Sequence, residues 1–459
     1  MRRPSVDTLL DRAAAVANLG RLRTNDLPNR CQVEVNNYLT SLLESELASL
    51  PLDDIRTRTR IHAQLAINRS IITPIRRLPR ELLGEIFTRS ARKSPLRTLH
   101  VAATLAGVCT VWRVVARGLP KLWTKVIVKS VRAFDGYCES FLPLVNSERS
   151  ILRCDAGEAL GRLWDRVEPY APCWRSITLE GRLGILPDLR VIYMENLERL
   201  VVNAYGAPAS PDLSVLDFVV APRLRHIALT IDALQSDRQL QIPVTRMLTS
   251  LEIDVMSPFS VLHTLPLLRA CANTLQSLIL KVCYPLDGTE GSYPTSTSDT
   301  FAMKALHLLS LCSPACALLN HITAPVVNEL ILSNVPEYGT HSLQGFLTRS
   351  QASRHLQILR VYQAVEKEVS AWMPCIWLMD DLRELHFDEL LSSEEFLKLL
   401  AHRADERRIL PSLAHIAICH IFWNHPELHD VIGDVCAARE RERVVNGEVI
   451  YIGIGWIEE

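Results

Sequence analysis

No apolar run in this 459-residue chain is long enough to cross a bilayer. The most apolar window, 306–319, is broken by serines, a proline and a histidine, and falls short of a hydrocarbon layer about 30 Å thick. A secretory signal is not expected: two arginines open the chain, but Asp7 and Asp11 interrupt the short apolar stretch behind them. Net charge is lacking as well. The 50 basic side chains nearly cancel the 51 acidic ones, which excludes a global pull toward nucleic acid or an anionic membrane. Aromatic residues make up only 6% and do not interleave with the basic residues of the front third, so a stacking platform for single-stranded nucleic acid is not expected. The twelve cysteines stand mostly alone inside apolar runs, the pattern of reduced core thiols rather than of a disulfide framework. The expected compartment is the cytoplasm or the nucleus.

What remains is an ordinary globular composition, 48% hydrophobic and 22% charged, long enough for about three domains or one repeat array. Such a chain can bury a large core without disulfides or metals. Charge is unevenly spread along it. Residues 1–132 carry 23 Lys/Arg against 10 Asp/Glu, a surplus of 13, and the remainder carries 27 against 41, a deficit of 14. A basic front and an acidic back imply two regions with different partners.

The first 30 residues, rich in Arg, Asn and Ala, read as a flexible leader. Residues 31–73 read as a helical pair: Val35, Leu39, Leu42 and Leu43, then Ile61, Leu65, Asn68 and Ile72, recur at helical spacing, with a turn at 50–53 and Asp53/Asp54 at the second helix start. From about Leu122 a different rule holds. The pattern apolar-x-x-apolar-x-apolar recurs as Trp174/Ile177/Leu179, Leu197/Leu200/Val202, Leu224/Ile227/Leu229, Leu248/Leu251/Ile253 and Leu275/Leu278/Leu280. It continues as Met303/Leu306/Leu308, Val327/Leu330/Leu332, Leu356/Leu359/Val361, Leu382/Leu385/Phe387 and Leu413/Ile416/Ile418. Nine steps carry Ile177 to Ile416, a mean period of about 27 residues, within the leucine-rich-repeat range. Earlier steps fall near 151–154 and on Trp123/Val126/Val128. Each unit offers a strand whose alternate residues enter a shared core, and a return segment behind it. Return segments at 259–270, 339–350, 394–402 and 428–441 read as helical or semi-regular. Pro222, Pro325 and Pro411 precede strands, where they cost no ladder hydrogen bond. Of the positions three residues after each triad, Cys283 alone fits the standard Asn/Cys rule, so the array resembles an irregular leucine-rich-repeat solenoid. The Ser/Thr/Gly-rich stretch 287–300 reads as a loop between repeats.

Between the helical pair and the repeats lie residues 74–87 (PIRRLPRELLGEIF), 105–113 (LAGVCTVWR) and 119–123 (LPKLW). Pro79 suits the first turn of a helix whose apolar stripe is Leu78, Leu82, Leu83, Ile86 and Phe87, and a second helix sets Leu105, Val108, Cys109 and Trp112 on one face. A module of about 50 residues with two apolar faces has little room for a core of its own, so one face is expected to meet a partner.

In their order and spacing these residues closely resemble the F-box. The preceding helical pair, the SIITPIRR lead-in at 70–77 and the repeats behind resemble the large F-box family of basidiomycete fungi. The resemblance implies a mixed α/β chain with a helical pair, a three-helix F-box at 74–123 and a leucine-rich-repeat-like solenoid at 124–459. It implies the substrate-recognition subunit of an SCF-type ubiquitin ligase, with the F-box docked on a Skp-type adaptor tied to a cullin and the repeats holding a protein substrate. It carries Leu78, Pro79, Leu82, Leu83, Ile86, Val108, Cys109 and Trp112 onto the adaptor interface or the helix packing just beneath it, without dividing them between those roles. The basic surplus suits an acidic adaptor surface and equally suits a solvated helix face. The alternative is a leucine-rich-repeat scaffold without a ligase role. In either reading, specificity of the repeats lies in strand residues expected to be exposed, such as Glu252, Lys281, Glu329, Arg360 and His386.

No catalytic constellation is expected, and no cofactor or metal. His425 and His429 bracket Pro426 and a misplaced glutamate, unlike a zinc-binding helix. Cys312 and Cys316, flanked by His307 and His321, read as buried thiols in phase with the repeats. The Gly-containing tail at 451–456 lacks the third glycine and following helix of a phosphate loop and reads as a terminal strand.

Overall fold

A computed structural model describes residues 5–18, 20, 27–93, 98–145, 150–155, 160–182, 189–206, 219–232, 246–256, 260–282, 300–351, 355–364, 369–388, 410, 412–413 and 415–419. Within them the chain is a mixed α/β protein with a large parallel sheet. Two compact units emerge, Met1–Ile127 with Arg132–Leu152, and Val128–Val131 with Arg153–Glu459. Residues 124–127 and 132–152 belong with the first unit.

The first unit opens with helix α1 (Val6–Val16), capped where the Thr8 N–H donates to the Ser5 hydroxyl at 3.3 Å. This corrects the expectation of a flexible leader over those residues: Leu9, Leu10 and Ala13 are core. The rest of that leader lies largely outside the described residues. Helix α2 (Arg30–Ser49) starts in a capping box between Asn29 and Gln32, and α3 (Ile55–Ile71) starts where the Thr57 N–H donates to Asp54 at 3.1 Å. Leu39, Leu43, Ile61 and Leu65 join α1 in one cluster. A buried amide network ties the three helices. Gln64 Nε2 donates to the Ala17 carbonyl at 2.8 Å and to Asn68 Oδ1 at 2.9 Å, and Asn36 Nδ2 donates to the Asn68 carbonyl at 3.0 Å. Val35, expected on the apolar stripe, is exposed, and Asn36 is buried beside it.

Helices α4 (Arg80–Arg92), α5 (Thr98–Val108) and α6 (Thr110–Arg117) follow a single 3-10 turn, Pro74–Arg77. Pro79 sits at the N-cap with extended backbone, one residue ahead of the first turn expected for it. Leu83, Phe87, Ala91, Ala102, Val115, Leu122 and Trp123 form the second core of this unit. The Trp123 indole N–H donates to the Ala116 carbonyl at 2.8 Å, and the Tyr137 hydroxyl donates to the Trp123 carbonyl at 2.7 Å. Short strands Lys125–Val128 and Ser150–Asp155 bury alternate residues.

In the second unit, strands Trp174–Arg182, Arg199–Tyr205, His226–Ile231, Ser250–Val255 and Ser277–Val282 pair parallel in chain order, and Leu308–Cys312, Glu329–Ser333, Ile358–Tyr362, Glu384–Asp388 and His415–Cys419 continue them. Ile177, Leu200, Ile227, Leu251, Leu278, Leu309, Leu330, Leu359 and Leu385 lie in one register row and are fully buried. The strands form because alternation puts every second side chain inside, and parallel pairing stacks like positions.

A backbone contact holds neighbouring strands in register. The two N–H groups that open each strand donate to one carbonyl of the unit before: Thr249 and Ser250 to Arg225, Gln276 and Ser277 to Thr249, His307 and Leu308 to Gln276, Asn328 and Glu329 to His307, all at 2.8 to 3.0 Å. The same contact corrects the sixth triad. Leu308 aligns with Ser277 and is half-exposed, and the buried set is Leu306, Leu309 and Leu311, three residues later than Met303/Leu306/Leu308. Pro222 and Pro325 occupy turns before strands, and the return helix over 339–350 is Gly339–Ser350. In 259–270 the described return is a 3-10 turn, Val261–Thr264, running into helix Leu265–Ala270. Pro411, Cys283, the loop residues 287–299 and the returns at 394–402 and 428–441 lie outside the described residues.

Candidate partner-binding surfaces

Helix α4 sorts the predicted residues by its own periodicity. Leu83 and Phe87, four apart, face the core, and Leu83 is 2% exposed. Leu82 and Ile86, one residue earlier in each case, lie about 100° round the helix and remain 52% and 39% exposed. Val108, the last residue of α5, is 56% exposed. Pro79 is exposed too. Cys109 is buried and caps α6, its sulfur accepting the Trp112 N–H at 3.5 Å. Trp112 is half-buried, its ring 4.9 Å from that of Phe87, and Leu78 packs against the same core. The eight candidates therefore split: Leu82, Ile86, Val108 and Pro79 face outward, Leu83 and Cys109 face inward, and Leu78 and Trp112 bridge. Val114 on α6 is also exposed and was not among the candidates.

A second surface is the outward face of the strand sheet. Residues between the buried positions form register rows, one of them running Ala228, Glu252, Ile279, Ser310, Ile331, Arg360 and His386. Of the residues expected to be exposed, Lys281 is, and Glu252, Glu329 and Arg360 are half-buried. His386 departs from expectation at 7% exposed, packed beside Glu384 with its Nε2 3.7 Å from that carboxylate. Arg360 bonds Glu329 and stands 4.0 Å from Glu384.

The described residues offer little for chemistry. His226 Nδ1 and the Ser250 hydroxyl lie 2.9 Å apart, but the buried Nε2 of His226 has no hydrogen-bond partner, so nothing orients the ring as a base. Burial, reinforced by Arg199, pushes the His226 pKa down while Glu252 opposes the shift. Burial drives the Cys154 and Cys316 thiols far above their ordinary value. Cys312 is half-buried and takes a bond from the Asn334 amide at 3.5 Å. Among the described residues no three His, Cys, Asp or Glu side chains converge as a metal site, and no helix is long and apolar enough to cross a membrane. His425, His429 and the tail 451–456 lie outside the described residues. Comparison with protein-family profiles and with curated proteins gives no match.

Proposed function

We propose that the chain is a substrate-recognition adaptor of an SCF-type ubiquitin ligase: residues 74–123 act as an F-box that docks on a Skp-type adaptor, and a leucine-rich-repeat-like solenoid behind it holds a protein substrate. The observation that carries this reading is the outward set Leu82, Ile86 and Val108, three large aliphatic side chains left in water at positions where the sequence resembles the F-box. The opposite helix faces already build a core, so these residues are spare for a partner. A typical interface buries about 800 Å² per side around a few central anchors, which a short helical face can supply. In this reading the chain performs no ubiquitin transfer itself; burial pushes the thiols of Cys154, Cys271, Cys316 and Cys375 up, away from the thiolate such a nucleophile needs.

The test is co-purification with a Skp-type adaptor. Leu82→Asp combined with Val108→Asp should abolish it while far-UV circular dichroism stays unchanged. Normal recovery by the double variant means the surface is misassigned. Failure of the natural chain to bind any such adaptor favours the scaffold alternative. Incubation with activating and conjugating enzymes should leave no reductant-sensitive ubiquitin adduct on the chain.

A further inference from the structure

On the outward face of the strand sheet, four aliphatic side chains lie on strands flanked by carboxylates, with the Glu329–Arg360 ion pair among them. Ile279 and Ile331 lie two strands apart in one row, and Leu308 and Ile358 lie two strands apart in the adjoining row, all four half-exposed. On one side, Glu252 and Asp254 share a strand, with Lys281 directly across from Asp254. Burial lifts the Asp254 pKa, Lys281 opposes the lift, and Glu252 adds to it. On the other side, Glu384 stands on the strand beyond Ile358, 4.0 Å from Arg360, which bonds Glu329 between Leu308 and Ile358. On these strands, among the described residues, Glu252, Asp254, Glu329 and Glu384 face Lys281 and Arg360, with His386 Nε2 3.7 Å from Glu384. The region after residue 132 carries the same sign overall, 27 basic against 41 acidic side chains.

We propose that this face binds an extended segment of a protein partner whose aliphatic side chains are flanked on both sides by Lys or Arg. The proposal rests on reading the strand sheet as the partner-recognition side of the molecule and adds the chemistry of what it recognises. The span is consistent. Glu252 and Glu384 sit five strands apart, about 24 Å at about 4.8 Å per strand, which an extended segment covers in about seven residues. Strands that open toward water with isoleucine and leucine between carboxylates fit aliphatic contacts in the middle and charge-assisted bonds at the ends. Nucleic acid is disfavoured by the same carboxylates.

Fluorescence anisotropy on the full chain tests this with a labelled Lys-Ser-Leu-Thr-Leu-Ser-Lys peptide. Saturable binding is expected, weakening as salt rises. A probe with glutamate in place of both lysines should not bind, and this arm needs no variant. Glu252→Gln with Glu384→Gln should weaken the lysine probe about tenfold, the loss of two exposed charge pairs. Absence of saturable binding, or equal binding of both probes, overturns the proposal, as does a labelled RNA binding more tightly than the lysine peptide. Adaptor co-purification of the same double variant is read alongside. It reports on the helical module alone, so either proposal can fail without the other.

Discussion

Leu83 and Leu278 are both buried leucines, yet what stands beside them differs. Next to Leu83 is Leu82, half in water, with Ile86 and Val108 also outward. Next to Leu278 is Ile279, on a face that repeats from strand to strand and mixes apolar residues with charge. The helical unit meets its core requirement with one side of each helix and is joined by specific contacts, among them an amide network that fits one arrangement of α1, α2 and α3. The strand unit meets it by copying a single solution, the same buried row and the same shared carbonyl, along the chain. Exposed aliphatics therefore carry different weight in the two. In the helical unit they are scattered, Leu52 and Ile55 among them, and only the proposed F-box role singles out Leu82, Ile86 and Val108. In the strand unit they are part of a pattern, and charge has to say which stretch is used.

One of the two largest expected effects is in the strand unit. Leu278→Ala removes a side chain from the middle of the buried row, with Leu251 and Leu309 on either side, and should cost about 2–5 kcal/mol in the unfolding transition of that unit. A loss under about 1 kcal/mol would mean the row tolerates a gap and that neighbouring units are not coupled through it.

Next comes the amide network. Asn68→Ala removes the acceptor of Gln64 and the donor to Thr40, leaving a buried amide without its side-chain partner, and should cost about 1–3 kcal/mol. Denaturant unfolding followed in the helical unit reads it. A negligible loss would show that apolar contact alone sets that unit, removing one half of the contrast between the units.

Much of this was legible beforehand, for physical reasons that differ by element. The strand rows were readable because alternation within a parallel sheet leaves a two-residue imprint, and recurrence in nearly constant phase multiplies a weak signal. The sixth unit slipped because Met303, Leu306, Leu308, Leu309 and Leu311 are all apolar, so two registers fit the same pattern. What decides between them is the pair of N–H groups on the Gln276 carbonyl, a backbone contact that side-chain pattern does not encode. Helix α1 was missed although Ser5 is a good cap, because Asp7, Asp11 and Arg12 surround only a short apolar set. At the candidate docking face, spacing identified the residues but not their sides: Leu82 and Leu83 are the same residue type, one position apart. Only the position of the core assigns which one faces water.

That assignment gives the third prediction. Leu82→Ala should change stability by no more than about 0.5 kcal/mol, whereas Leu83→Ala should cost about 2–5 kcal/mol. Equal losses in thermal unfolding would place Leu82 in the core and withdraw it from the docking face.

The smallest effect concerns pH in the strand unit. His226 is half-buried with its Nδ1 on the Ser250 hydroxyl, and burial, then Arg199, hold its pKa below the ordinary 6.5. The unfolded chain therefore binds the proton more readily than the folded one. Stability attributable to this ring is complete above pH 6.5 and declines as pH falls through the depressed folded value. Because the ring is partly in solvent, screening limits the loss to about a few tenths of a kcal/mol. Denaturant titrations at pH 7.5 and 5.5 on the natural chain and His226→Asn isolate it, since the other titrating groups are common to both. The variant should lose less stability on acidification. If it loses more, the proton is taken up more strongly in the fold, and the carboxylate of Glu252, rather than burial and Arg199, governs the strand face at that point. The carboxylate flank would then extend one strand further than Glu252 and Asp254, toward a surface able to hold a cationic side chain at His226 itself.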